Sequence, residues 1–211
     1  MKVEGKTVER SSWLTLPNGL TLFRFLLIPI FLSELVRGRR SAALLIFLLA
    51  SLTDLLDGFV ARTWNVRTPL GRIIDPAADK LLFVSAFIFM TFPRFSQPFS
   101  MPVWLTATVM ARDSLIALGA LILFIWKGMK NFSPSLPGKI CTFLQAITVL
   151  LVLAANALAE QQFFHRDLME KLFSSQVQSF FFWLTFGSTI VSGIHYTAFG
   201  LKKGFFPEKR F

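Results

Sequence analysis

Four aspartates, Asp54, Asp57, Asp75 and Asp79, fall within one short stretch of a chain that is otherwise mostly apolar. Their spacing is that of helix faces. Asp54 and Asp57 are three apart and share a face, and Ala61 continues it four residues on. Gly58 and Arg62, also four apart, form an adjoining stripe. Across a short connection, Gly71, Asp75 and Asp79 again follow at intervals of four. Two helices so joined can lie antiparallel, which would bring the carboxylates together. Converging carboxylates repel unless they are protonated or bridged by cations. An all-oxygen donor set suits Mg²⁺, Mn²⁺ or Ca²⁺, and no cysteine or histidine accompanies it to favour zinc. Two divalent ions would balance four negative charges and clamp a phosphoryl group. The small residues Gly58, Ala61 and Gly71 would let a ligand approach the backbone, and Arg62 could hold a phosphate oxygen. The spacing alone also admits a plainer reading. The aspartates could be solvated helix ends or partners of Arg62, Arg67, Arg72 and Lys80, with the small residues serving only helix packing.

The elements that must carry these residues are hydrophobic. The 211 residues are 54% hydrophobic and 16% charged, and 25 of them are phenylalanine; mean hydropathy is +0.58. A soluble domain carries about 25% charged residues, so this composition indicates a membrane protein. A bilayer-spanning helix needs about 20 apolar residues. The chain offers six such segments: about Leu16–Val36, interrupted chemically by Arg24 and Pro29; Ala42–Arg62; Asp75–Phe92; Val103–Trp126, with Arg112 and Asp113; Ile140–Ala159; and Val177–Leu201. The expected fold is therefore an all-α integral membrane protein of six transmembrane helices. Residues 1–15 form an N-terminal cytoplasmic segment, either frayed or a short interfacial helix anchored by Trp13. Residues 16–201 form the helical domain and 202–211 a basic tail. No cleavable signal peptide is evident, since the first apolar run lacks a small-residue cleavage site. The lone cysteine, Cys141, reads as a packing residue.

The formal net charge is +10. The basic residues cluster at the ends of apolar runs, so they point to a membrane surface rather than to nucleic acid. With both termini cytoplasmic, the inside segments hold thirteen lysines and arginines and the outside loops six. Basic residues favour the cytoplasmic side, which places the aspartates at the cytoplasmic face. The Arg37-Gly38-Arg39-Arg40 loop runs against this count.

The run Asp54-x2-Asp57-Gly58-x2-Ala61-Arg62-x8-Gly71-x3-Asp75-x3-Asp79 resembles the complete signature of the CDP-alcohol phosphotransferases, also called CDP-alcohol phosphatidyltransferases. Residues 16–29, "LPNGLTLFRFLLIP", look like the first span of bacterial phosphatidylglycerophosphate synthases and of cardiolipin synthases that use CDP-diacylglycerol. "DPAADK", "ARDSL" and "GKICTFLQ" continue the likeness. The resemblance implies a six-helix fold, usually a homodimer, in a bacterial-type inner membrane. It implies transfer of a phosphatidyl group from CDP-diacylglycerol to an alcohol, with CMP released. It also implies two Mg²⁺ or Mn²⁺ ions on Asp54, Asp57, Asp75 and Asp79, with Asp79 as general base. Gly58, Ala61, Arg62 and Gly71 would line the CDP-lipid site together with the aspartates.

Glycerol 3-phosphate is the expected acceptor. Its phosphate would need cations, and Arg112 and Lys139 are the candidates; an Arg112–aspartate pair or a snorkelling Lys139 are the plainer readings. Many phosphatidylglycerophosphate synthases resembling this chain have Arg-Glu where it has Arg112-Asp113. Arg-Asp also occurs in cardiolipin synthases of the superfamily, whose acceptor is phosphatidylglycerol; inositol phosphate and serine complete the alternatives. Arg24 is expected to face the protein interior near the site. His195, beside Tyr196, reads as a buried packing residue rather than an acceptor ligand. Pro17 and Asn18 either bound the nucleotide pocket or cap the first helix. A divalent-cation transporter would use the same aspartates. It would not need the small residues and Arg62 at fixed offsets, and the inverted repeat frequent in transporters is not seen. The complete aspartate set also argues against a member that binds the nucleotide-lipid without turnover.

Overall fold

The structure is a computed structural model, and it describes residues 16–63, 71–127, 135–160 and 173–205. These form six helices, and no strand occurs among the described residues. They are α1 (Leu16–Val36), α2 (Arg40–Thr63), α3 (Gly71–Thr91), α4 (Val103–Lys127), α5 (Leu136–Glu160) and α6 (Ser175–Phe205). The expected N-terminal segment, residues 1–15, lies outside the described residues. The first helix has the bounds its apolar run suggests and continues through Pro29. Helices α3 and α5 each start four residues before the expected position. Helix α6 carries Lys202 and Lys203, placed above in the tail, on its last turns.

Contacts fix the topology. Arg24 of α1 meets Asp54 of α2, and seven residues further along α1 Phe31 meets Phe47, seven residues back along α2. The two helices are therefore antiparallel. They are joined by a turn in which Gly38 adopts φ 73°, a left-handed conformation that costs little only without a Cβ. Glu34 binds the flanking Arg37 and Arg39 at 2.9 and 3.7 Å. Helices α3 and α4 run antiparallel through Thr91–Thr106 and Lys80–Asp113. Helices α5 and α6 do so through Cys141–Thr189 and Thr148–Thr185. Helices α4 and α6 are parallel, since Trp104 stacks on Trp183 and Arg112 binds Ser192 further along both. The seven residues between α2 and α3 reach at most about 25 Å, less than the roughly 36 Å length of α2. The end of α2 and the start of α3 thus share one end of the bundle. The same end holds the start of α1, the end of α4, the start of α5 and the end of α6.

The interior is aromatic and aliphatic. Phe31, Phe47 and Phe83 run across α1, α2 and α3 at ring separations of 5.6 and 5.9 Å. Phe87, Met90, Leu105, Val109, Val149 and Val152 are fully or nearly fully buried. The outside is apolar too: Leu22, Phe143, Trp183 and Ile125 are each more than 60% exposed. Hydroxyls on these helices bond back to the preceding turn, as Thr53 does to the Ala50 carbonyl and Thr91 to that of Phe87. This satisfies a polar group where no water can. By length and composition, Gly19–Val36, Leu136–Glu160 and Ser175–Ala198 can each cross a membrane.

Candidate active site

Helix α2 carries Asp54, Asp57, Gly58, Ala61 and Arg62, and α3 starts at Gly71 and carries Asp75 and Asp79. Every signature residue is therefore on helical backbone, and Gly71 belongs to the helix rather than to a preceding loop. The side chains of Asp57, Arg62 and Asp75, the space at Gly58 and Gly71, and the surroundings of Ala61 lie outside the described residues. Among the described residues no three His, Cys, Asp or Glu side chains come together as a metal-binding group.

Asp54 and Asp79 are both half-buried. The Arg24 guanidinium, sealed inside the bundle, holds the Asp54 Oδ1 at 2.9 Å. The Asp54 side chain stays 41% exposed while that of Arg24 is 0% exposed. The arginine thus supports the carboxylate from behind and leaves its outer side open. Arg24 faces the interior as its sequence context implies.

A second charged group lies between α3, α4 and α6. The Lys80 ammonium pairs with the Asp113 carboxylate, whose Oδ1 accepts a hydrogen bond of 2.8 Å from the Arg112 Nη1. The Arg112 Nη2 donates to the Ser192 hydroxyl, and its guanidinium carbon lies 5.6 Å from the Tyr196 ring centre. Arg112 is buried and Asp113 nearly so, whereas the Lys80 side chain is 47% exposed. Since Lys80 follows Asp79 directly, its bond to α4 fixes the turn of α3 that presents Asp79. Lys139 is exposed on the first turn of α5.

The structure corrects one expectation. His195 is exposed on α6 rather than buried, with its ring edge-on to Tyr196 at 6.1 Å. Ser192 and Tyr196 turn inward instead, one helical turn apart. Cys141 is fully buried against Thr189 and Gln145 at 3.5 and 3.4 Å, a packing residue as expected. Pro17 and Asn18 stand in the first turn of α1, and their side chains lie outside the described residues. Sequence reasoning missed Ser192 as a partner of Arg112. Ser192 is one of several small polar residues on this helix, beside Thr185, Ser188 and Thr189, so the sequence did not single it out.

Comparison with known proteins agrees with this arrangement. The family model for CDP-alcohol phosphatidyltransferase matches residues 14–191. A cardiolipin synthase (CMP-forming) of Streptomyces coelicolor is 35% identical over 122 residues, 55% of this chain and 54% of that protein. A probable phosphatidylglycerophosphate synthase of Mycobacterium tuberculosis is 34% identical over 152 residues, 69% of this chain and 68% of that protein. A CDP-diacylglycerol--glycerol-3-phosphate 3-phosphatidyltransferase of Escherichia coli is 41% identical over 105 residues, 48% of this chain and 56% of that protein. The matches thus span between about half and two thirds of these relatives' lengths. The relatives are bacterial and three helices are apolar enough to cross a bilayer, which together mark a membrane protein. The family is generally dependent on divalent metal. With the full aspartate signature on α2 and α3 and a family match over most of its length, this chain belongs to the CDP-alcohol phosphatidyltransferase family.

Proposed function

We propose that this protein transfers the phosphatidyl group of CDP-diacylglycerol to glycerol 3-phosphate, releasing CMP. The carrying observation is the complete signature on two helices meeting at one end of the bundle, with Arg24 positioning Asp54. The names of the Mycobacterium and Escherichia relatives support this donor and acceptor. All six helices, of 21 to 31 residues, would cross the membrane; the hydrocarbon core is about 30 Å thick. The lysine and arginine distribution supports cytoplasmic termini, and hence a cytoplasmic active site in a bacterial inner membrane. The working unit would be a homodimer.

The donor set fits a hard divalent cation. It is all carboxylate, and Asp54 keeps an open side although its other oxygen is held. Asp54, Asp57, Asp75 and Asp79 would hold two Mg²⁺ or Mn²⁺ ions, which when bound neutralise the diphosphate and favour departure of CMP. The chain's own residues do the rest. Arg24 holds Asp54 in place, Arg62 binds a diphosphate oxygen, and Gly58, Ala61 and Gly71 leave room for the cytidine diphosphate. Arg112 and Lys139 hold the acceptor's phosphate. The acceptor hydroxyl oxygen bonds to the phosphorus bearing the diacylglycerol, the bond from that phosphorus to CMP breaks, and an Asp79 carboxylate oxygen takes the hydroxyl proton. The lipid tails remain in the bilayer throughout.

A second acceptor is favoured by one observation. Asp113 stands where a glutamate is common in the phosphatidylglycerophosphate enzymes, and the Streptomyces relative is named a cardiolipin synthase. Phosphatidylglycerol is therefore the alternative. The test is CMP release by the purified protein with CDP-diacylglycerol and Mg²⁺ or Mn²⁺. Glycerol 3-phosphate, phosphatidylglycerol, inositol phosphate and serine are assayed side by side. Glycerol 3-phosphate should give the highest kcat/KM. Release only with phosphatidylglycerol would reassign the acceptor, and no release with any of the four would defeat the enzyme reading.

A further inference from the structure

The reaction proposed above leaves one close contact of Arg112 without a role. The ring of Tyr196 lies against the guanidinium, and its hydroxyl accepts a 3.1 Å hydrogen bond from the Ser135 N–H, immediately before α5. The same serine supports the first turn of that helix: its hydroxyl accepts from the Gly138 N–H at 3.3 Å and its carbonyl from the Lys139 N–H at 3.1 Å. One side chain on α6 therefore spans from the buried cation of α4 to the turn that carries Lys139. The approach is close enough to dictate residue 138. A Cβ at Gly138 would lie 2.8 Å from the Tyr196 Oη and 2.9 Å from its Cε2. Any larger residue there must push the ring, and the ring rests on Arg112.

We propose that Tyr196 is a positioning residue for the acceptor, with Gly138 as the space it requires. It fixes the separation between Arg112 and the first turn of α5, so that Arg112 and Lys139 meet a single phosphate group. The inference rests on the acceptor assignment above. The physical basis is directional. A planar guanidinium stacks on an aromatic face, and Asp113, Ser192 and Tyr196 constrain it together. Lys139, by contrast, is exposed, so only the turn beneath it can be fixed. A guanidinium preset at one distance from that turn leaves only the Lys139 side chain to be ordered when a phosphate binds.

The test uses the full chain in lipid vesicles. CMP release is measured against glycerol 3-phosphate at saturating CDP-diacylglycerol, and the reverse. Tyr196→Phe keeps the ring and loses the hydroxyl contact; its KM for glycerol 3-phosphate should rise about fivefold, the scale of one lost hydrogen bond. Tyr196→Leu loses both contacts and should raise it by about tenfold or more. In both, kcat and the KM for CDP-diacylglycerol should stay within about twofold of wild type, a split that a general packing defect would not produce. Gly138→Ala should match Tyr196→Phe when alone and add nothing in the Tyr196→Leu background, the coupling expected of touching residues. If Tyr196→Leu fails to fold, the Tyr196→Phe and Gly138→Ala arms still decide. An unchanged acceptor KM, or equal losses in kcat and both KM values, overturns the proposal. A wild type that is inert with all four acceptors removes the functional reading and this proposal together. A turning-over wild type with unmoved variants removes this proposal alone.

Discussion

Arg24 and Arg112 are the arginines buried among the described residues, and their surroundings differ. Arg24 comes from α1 and braces Asp54, a member of the signature. Arg112 comes from α4 and is paired with Asp113, outside the signature, which it shares with Lys80. Arg24 holds one of the four signature aspartates, while α2 and α3 also carry Arg62 and Arg72 beside the other three. The Lys80–Asp113–Arg112 group carries two cations on one carboxylate and is left positive. In the proposed reaction the signature carboxylates hold metal ions, and the positive group on α4 meets an anion. On that proposal Arg24 belongs to a donor side, common to every acceptor, and Arg112 to an acceptor side that need not be.

Substitutions can break or sharpen this contrast. The largest effect is expected from Arg24→Gln. It removes the brace from an aspartate proposed to hold metal, so CMP release should fall about a hundredfold, typical of losing a charged hydrogen-bond partner at a reacting site. The fall should be similar with every acceptor; a loss confined to one acceptor would erase the donor-side assignment. Arg112→Ala should act the other way, raising the KM for glycerol 3-phosphate by about tenfold to thirtyfold, as expected for a lost charge-assisted bond. An unaltered acceptor KM would remove Arg112 from the pocket. Asp113→Asn leaves Arg112 and Lys80 as neighbouring cations without their shared carboxylate. It should lower stability by about 2 kcal/mol, seen as a reduced thermal midpoint in detergent, because a buried charge loses its partner. Lys80→Ala should be mildest, below about 1 kcal/mol, since its side chain is 47% exposed. A Lys80 effect larger than that of Asp113→Asn would show that the lysine has a partner beyond Asp113.

The sequence is informative where function depends on local spacing. The i, i+3 and i, i+4 offsets from Asp54 to Asp79 put every signature residue on the two helices expected to carry them. The Leu16–Val36 run became α1 without change, Arg24 and Pro29 included. Helices α3 and α5 begin earlier than their apolar runs because Arg72 in one, and Gly138 and Lys139 in the other, lower hydropathy without preventing helix formation. Contacts between distant residues left no such pattern. Arg24 and Asp54 are thirty positions apart, and the Arg112–Ser192 bond spans eighty. His195 and Tyr196 show the limit most clearly. Adjacent helix residues point about 100° apart, and no local signal in this helix tells which of the two turns inward.

The bundle's other end carries a consequence for biosynthesis. The Asn156 side chain accepts the Phe99 N–H at 2.9 Å and donates to the Phe99 carbonyl and Ser96 hydroxyl at 2.7 and 3.0 Å. Glu160, at the end of the same helix, accepts the Ser41 N–H at 2.8 Å at the start of α2. Both the α3–α4 connection and the start of α2 thus wait for partners synthesised much later. The Phe99 and Ser41 N–H groups gain these side-chain acceptors only when α5 arrives. In this sense α5 works as the keystone of a chain built in order, locking earlier helices at the end opposite the chemistry.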